Sequence, residues 1–216
     1  MAGVGLVLLC AAGPAGAFEF AVLPFTWPGD PALIRYHNKI DDRDPAVRRG
    51  IAAWNRSGLD IRFRRTSLRR ADLVIRPSRN QPCGFGTAAI EQEPLGTASG
   101  AVVRLGTGTR FGRAFDSPRE CKFIDVLTAA HELGHVLGLA HEDDRCALMN
   151  SSTRAYPPSL QGGAPAGVAP SECRRSGRNR WFCRVLTRDD LQGARLLYGG
   201  SVRVRRRAFC PIRGQP

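Results

Sequence analysis

Apolar and polar positions change their period several times along the chain, and each change marks an element. Ala32-Leu33-Ile34-Arg35-Tyr36-His37 alternates in part and predicts a strand. Asp44 then Pro45 is a helix start, a capping residue followed by proline at the first helical position. Ala46, Val47, Ile51 and Trp54 make one apolar face of that helix, and Asn55 and Gly58 end it. Leu59, Ile61 and Phe63 alternate with polar residues, the pattern of a strand with one face in water. Ala71-Asp72-Leu73-Val74-Ile75 predicts another strand, stopped by Pro77. The Gly, Pro and Thr-rich stretch 81–100 predicts turns and one short strand, 101–105 a further strand, and 106–118 a loop. A longer helix is expected over 124–137, with Asp125 as its cap or first-turn acid. Val126, Leu127, Ala130, Leu133, Val136 and Leu137 supply its core faces. Residues 142–186 lack a period and are rich in Pro, Gly, Ser and Arg, which predicts a long irregular region. Thr187-Arg188-Asp189-Asp190 opens a last helix with a Thr-to-acid capping spacing, and Leu191, Ala194, Leu197 and Tyr198 carry it to Gly199-Gly200.

Composition adds compartment and charge. A chain of 216 residues with 43% hydrophobic residues suits one domain with a sizeable core. Residues 1–17 carry no charge, hold an apolar stretch from Val4 to Ala12, and end in Ala15-Gly16-Ala17. That is a small-x-small cleavage site, so 1–17 is expected to be a signal peptide with Phe18 as the new N-terminus, although no Lys or Arg precedes the apolar stretch. Beyond Cys10 there are six cysteines, Cys83, Cys121, Cys146, Cys173, Cys183 and Cys210, an even count that in an exported chain suggests up to three disulfides of open connectivity. Cys173–Cys183 would close a short loop, and Cys121–Cys146 would tie the entrance of the longer helix to the Met149 region. The net charge is +13, and all the basic residues except Lys39 and Lys122 are Arg. Such a chain attracts anionic surfaces or polymers. Without a zinc finger, basic zipper or aromatic-plus-basic stacking pattern, nucleic acid is not expected as a partner. The signal-like start and Arg-rich composition suggest a bacterial secreted protein, with no membrane attachment after signal removal and acting as a monomer.

The candidate chemistry is concentrated in His131-Glu132-Leu133-Gly134-His135-Val136-Leu137-Gly138-Leu139-Ala140-His141. His131 and His135 are four apart and share one helix face, where two imidazoles can hold one zinc ion. Glu132 is rotated by about 100° from His131. It can sit beside the metal without ligating it, the place of a general base for a zinc-activated water. Gly138 lets the chain leave the helix sharply and brings His141 round as third ligand. Three protein ligands leave a position open, the mark of a catalytic rather than a structural zinc.

This run resembles the zinc signature of the metzincin metalloproteases. Ala147-Leu148-Met149, eight residues beyond His141, resembles the methionine turn of the matrixin, or matrix-metalloproteinase-like, branch. Val47–Trp54 resembles the first matrixin helix, Ala71–Ile75 the following inner strand, and Asp189–Gly199 the closing helix. The resemblance implies an α+β metzincin catalytic domain: a twisted mixed β-sheet with two long helices above a horizontal cleft, and an irregular lower subdomain ending in a C-terminal helix. The domain would span 18–200, with an upper part at 27–140 and a lower part at 141–200, followed by a basic tail at 201–216. Substrate would lie extended along an edge strand, and Met149 would be a structural floor, not a ligand. Ser151 stands where astacins and serralysins place a tyrosine, Glu142 follows the third histidine as in astacins, and Asn150-Ser151-Ser152 replaces the matrixin Pro-x-Tyr wall. Only His37 is left over, so no structural zinc is expected. Asp116 and Glu120 lie near the region where calcium would bind but do not form a calcium-loop pattern. Cys83-Gly84 falls after the first helix, so Cys83 is read as a disulfide partner and not as a latency cysteine.

The function expected from these residues is that of a secreted zinc metalloendopeptidase with Glu132 as general base. The alternatives are a zinc amidase acting on cell-wall peptides, and a secreted basic binding module with a non-catalytic zinc site.

Overall fold

The computed structural model describes residues 25–41, 44–94, 96–108, 118–141, 147–149 and 185–203, with backbone alone over 118–124. Strands β1 (Ala32–Asn38), β2 (Ile61–Arg65), β3 (Leu73–Pro82), β4 (Gly86–Gln92) and β5 (Ala98–Gly108) form one sheet in the order β2-β1-β3-β5-β4. The first four in that order run parallel, and β4 pairs antiparallel with β5 as an edge strand. Helices α1 (Asp44–Asn55), α2 (Pro118–Val136) and α3 (Arg188–Tyr198) complete the α+β arrangement, with a 3-10 turn at Leu68–Arg70.

Period two separates the faces of the sheet. Ile34 and Tyr36, Ile61 and Phe63, Leu73 and Ile75, and Ala101, Val103 and Leu105 are all buried, each set alternating with more exposed residues. They share one core with Val47, Ile51 and Trp54 of α1 and with Leu133 and Val136 of α2. The two helices meet closely because Gly50 has no side chain: a Cβ there would stand 3.1 Å from the Ala130 nitrogen. Trp54 Nε1 donates to the Ala130 carbonyl at 2.9 Å, so α1 also fixes the depth of α2. Asn55, at the end of α1, donates to Phe63 O (2.9 Å) and accepts from Phe63 N (2.8 Å), which ties the helix end to β2.

Several sequence expectations need correction. Pro77 does not stop β3, which runs on to Pro82, with Pro77 in register with Leu105. Ile75 O accepts from Lys39 N, so Ile75, and by alternation Pro77, turns its backbone toward β1. The last β1–β3 pair is Asn38↔Ile75, so the N–H that proline lacks would have had no strand to meet. The short strand expected within 81–100 is the seven-residue β4, and β5 extends the strand expected at 101–105 at both ends. Helix α2 starts at Pro118, not near Ile124, and Asp125 is a buried residue inside it instead of its cap. Proline suits a first helical turn, where its missing N–H costs nothing. The expected loop at 106–118 begins later, since Gly106–Gly108 belongs to β5. The signal peptide at 1–17, Asp116, residues 142–146 and 150–184 of the irregular region, and 204–216 of the basic tail lie outside the described residues, as do Cys146, Cys173, Cys183 and Cys210 and the side chains of Cys121 and Glu120.

Trp54→Phe removes the donor to Ala130 and is expected to cost about 1–2 kcal/mol, and Trp54→Ala about 3–5 kcal/mol. Both are read as shifts of the denaturant midpoint.

Candidate active site

Three elements build the site. Helix α2 carries His131, Glu132 and His135 on adjacent turns. It ends in a Schellman motif, in which Leu139 N donates to Gly134 O at 3.0 Å and Gly138 N to His135 O at 2.9 Å. Gly138 has φ +90°, the left-handed conformation that glycine adopts without strain, and a Cβ there would meet Phe25 O at 2.9 Å. The turn returns the chain so that His141 faces the helix. His135 Nε2 lies 3.1 Å from His131 Nε2 and 3.2 Å from His141 Nε2.

Those short N···N distances are not hydrogen bonds. His131 Nδ1 lies 2.8 Å from Leu148 O and His135 Nδ1 2.8 Å from Leu139 O. A carbonyl only accepts, so each Nδ1 carries the proton and each Nε2 presents a lone pair. Burial also holds His135 below the ordinary histidine range, which favours its neutral form. Lone pairs directed at one another repel unless a cation lies between them. Bonds of about 2.0–2.1 Å to a tetrahedral zinc would set the nitrogens about 3.4 Å apart, close to what is found. The donor set therefore fits zinc, and His131, His135 and His141 form a group that could hold one.

Glu132 is buried, and its Oε2 has no hydrogen-bond partner among the described residues. Burial alone pushes its carboxyl up to about 8. The carboxyl fits under β4 because residue 86 is glycine: a Cβ there would overlap Oε1 and Cγ of Glu132. The cleft around these groups is lined by Phe25, Phe85, Ala88, Ile90, Thr128 and Leu139. Gly106 N donates to Phe85 O, so Phe85 faces β5, and by alternation Thr87 and Ala89 do so too. The N–H and C=O groups of Gly86, Ala88 and Ile90 lie on the edge beside the cleft, which no other described strand covers.

Met149 is buried beneath α2, and a Cβ at Gly134 would overlap its Sδ. Sequence reasoning missed what holds this turn in place. The Asp190 carboxylate accepts from Leu148 N (3.1 Å), Met149 N (3.2 Å), and Thr187 N and Oγ1 (both 2.7 Å). Burial raises its pKa while these donors pull the other way. The Thr187–Asp190 capping box is the one foreseen, but nothing in the pattern announced that the same carboxylate also grips residues 148 and 149. A glycine inside an α-helix, as at Gly134, was a usable signal, because it weakens a helix unless something packs against it. Gly86 gave no signal. His37, the remaining histidine, lies on β1 with Nδ1 3.1 Å from Thr66 O, apart from this cluster.

Residues 32–161, more than half of the chain, match the matrixin family model, and the chain belongs to the matrixin family. It is 34% identical to human (Homo sapiens) matrix metalloproteinase-20 over 110 residues, 49% of this chain and 22% of that protein. It is 27% identical to human matrix metalloproteinase-27 over 166 residues, 73% of this chain and 26% of that protein. The chain thus spans about a quarter of the length of these curated relatives.

Two outcomes are expected. Asp190→Ala frees the Leu148 carbonyl to shift and should weaken zinc affinity roughly 10–100-fold, measured by competition with a chromophoric chelator. In the metal-free chain, burial pushes the Glu132 carboxyl from its ordinary 4.5 up to about 8. Its raised folded value favours the folded state below pH 4.5, and that contribution is lost as pH rises to about 8. Thermal unfolding of the metal-free protein across that window should show this loss, and Glu132→Gln should flatten it.

Proposed function

We propose that this matrixin is a secreted zinc-dependent endopeptidase that cuts peptide bonds in an extended substrate laid beside β4. What carries the reading is the convergence of three imidazole Nε2 atoms, two of them fixed as lone-pair donors, with the buried Glu132 carboxyl in a cleft bordered by the β4 edge. His131, His135 and His141 would hold zinc through Nε2. When bound, zinc supplies Lewis acidity, acidifying a neighbouring water and polarising a carbonyl oxygen.

The chain's own groups account for the remaining work. The backbone groups that Gly86, Ala88 and Ile90 turn away from β5 would pair with a peptide as an added strand, holding its scissile bond extended over the histidines. Glu132 would take the proton of the attacking water and return it to the leaving amine. A dication beside it would offset the burial that otherwise keeps the carboxyl protonated. Gly138 and Met149 are structural, the one turning the chain toward His141 and the other packing under Gly134.

The catalytic unit is taken as 18–200, following a leader at 1–17 and preceding a tail at 201–216. Contacts between distant segments support one unit: Trp27 N donates to Tyr198 Oη at 3.3 Å, and Asp190 reaches Leu148 and Met149. Export would suit Cys83, which is buried and on this reading serves as one half of a disulfide. No helix among the described residues is long and apolar enough to cross a membrane.

The test is cleavage of an unfolded protein by the purified zinc-loaded chain beside Glu132→Gln. The wild type should cut, and the variant should retain zinc with a rate lower by roughly 10³-fold. Undiminished proteolysis by Glu132→Gln, or a zinc-loaded wild type inert toward every peptide substrate, would overturn the reading.

A further inference from the structure

The face of the sheet turned away from α1 and α2 carries a cationic array that the cleft does not use. Arg62 and Arg64 on β2, Arg35 on β1, Arg76 on β3 and Arg104 on β5 occupy outward positions and are all exposed. Strand register sets Arg64 beside Arg35 and Arg76 beside Arg104, on neighbouring strands about 4.8 Å apart. Arg35 is engaged, its Nε and Nη2 gripping the Asp72 carboxylate at 2.9 and 2.6 Å. Arg62, Arg64, Arg76 and Arg104 make no ion pair among the described residues. Within the five strands, the one acid on this face is Glu91, at the β4 edge opposite Gly100.

Like charges set directly opposite each other across strands work against the fold. The Arg76–Arg104 pair therefore returns nothing to the isolated chain and calls for an anion from outside. The chemistry of the face narrows the kind of anion. No Phe, Tyr or Trp occupies an outward strand position, so there is no platform on which bases could stack. The large apolar side chain exposed at an outward strand position is Leu33 alone, too little to enter a lipid surface. A guanidinium matches a carboxylate by its two-pronged donor geometry, and the Arg35–Asp72 pair shows that geometry on this same face. Charges spread over β2, β3 and β5 suit a linear polymer with carboxylates at intervals. The positions lie on the sheet face opposite the helix that bears His131 and His135, so cleft and array can be occupied together.

We propose that this sheet face docks an acidic polysaccharide whose sugars bear carboxylates, with Arg76 and Arg104 at its centre. It holds the protein on such a polymer while leaving the cleft open.

The experiment titrates the full chain with polygalacturonate at several salt concentrations. It compares Arg76→Gln/Arg104→Gln with Arg188→Gln/Arg195→Gln, which removes the same charge from exposed positions on α3. The sheet pair should weaken binding roughly tenfold and lower the salt slope by about two, while the helix pair changes affinity less than about twofold. Arg62→Gln/Arg64→Gln should act in the same direction as the first pair, and equal unfolding temperatures confirm intact folds. Equal losses in the sheet and helix variants would reduce the effect to net charge and overturn the proposal. So would absence of wild-type binding, or tighter binding to random-sequence duplex DNA or to anionic phospholipid vesicles than to polygalacturonate.

Discussion

The site depends on the fixing of Nδ1 of two histidines by backbone carbonyls. His131 is held by Leu148 O and His135 by Leu139 O, and each bond forces an Nε2 lone pair toward the same point. Neither carbonyl is there by local propensity. Leu139 is delivered by the left-handed turn at Gly138, and Leu148 by the four donors that Asp190 gathers at the start of α3. A residue more than forty positions beyond the second histidine thus orients the first, through two backbone N–H groups and one carbonyl. A buried carboxylate is costly unless its lone pairs are satisfied, and Asp190 is satisfied only when the turn at 148–149 is in place. Formation of the turn at 148–149 and preparation of the site are therefore coupled.

Missing side chains set the spacing around that centre. Gly50 lets α1 approach α2, Gly134 admits the sulfur of Met149, and Gly86 leaves room for the Glu132 carboxyl. In each place a methyl group would force backbone or a buried side chain to move. The result is a helix held close on three sides, by α1, by the methionine turn and by the β4 edge, with its fourth side open to the cleft. Glu132 is buried on the β4 side, which keeps bulk water from its carboxyl and leaves one oxygen without a partner among the described residues.

Much of this was legible in the sequence, because the relevant signals are local. The spacing of His131, His135, Gly138 and His141 encodes a helix face and a turn, and both are found. Thr187 and Asp190 announce a capped helix, and the box is present. The alternations at 32–37 and 59–63 gave β1 and β2 their buried faces. What was not legible depends on neighbours that period and propensity do not reveal. Pro77 continues a strand because β1 has already ended beside it. Asp125 looked like a cap because the helix before it has no apolar period. The second role of Asp190 and the role of Gly86 are contacts between segments far apart in the chain. The outward arginines were counted as net charge, and only the strand register sets Arg76 beside Arg104.

X-ray absorption at the zinc edge of the full chain reads whether three imidazoles converge on one zinc ion. Stoichiometric zinc with three nitrogen scatterers and one light scatterer, all at about 2.0–2.1 Å, is expected. A sulfur shell at about 2.3 Å would mean that cysteines hold the metal. Either that shell or the failure of the folded chain to retain zinc would contradict the account.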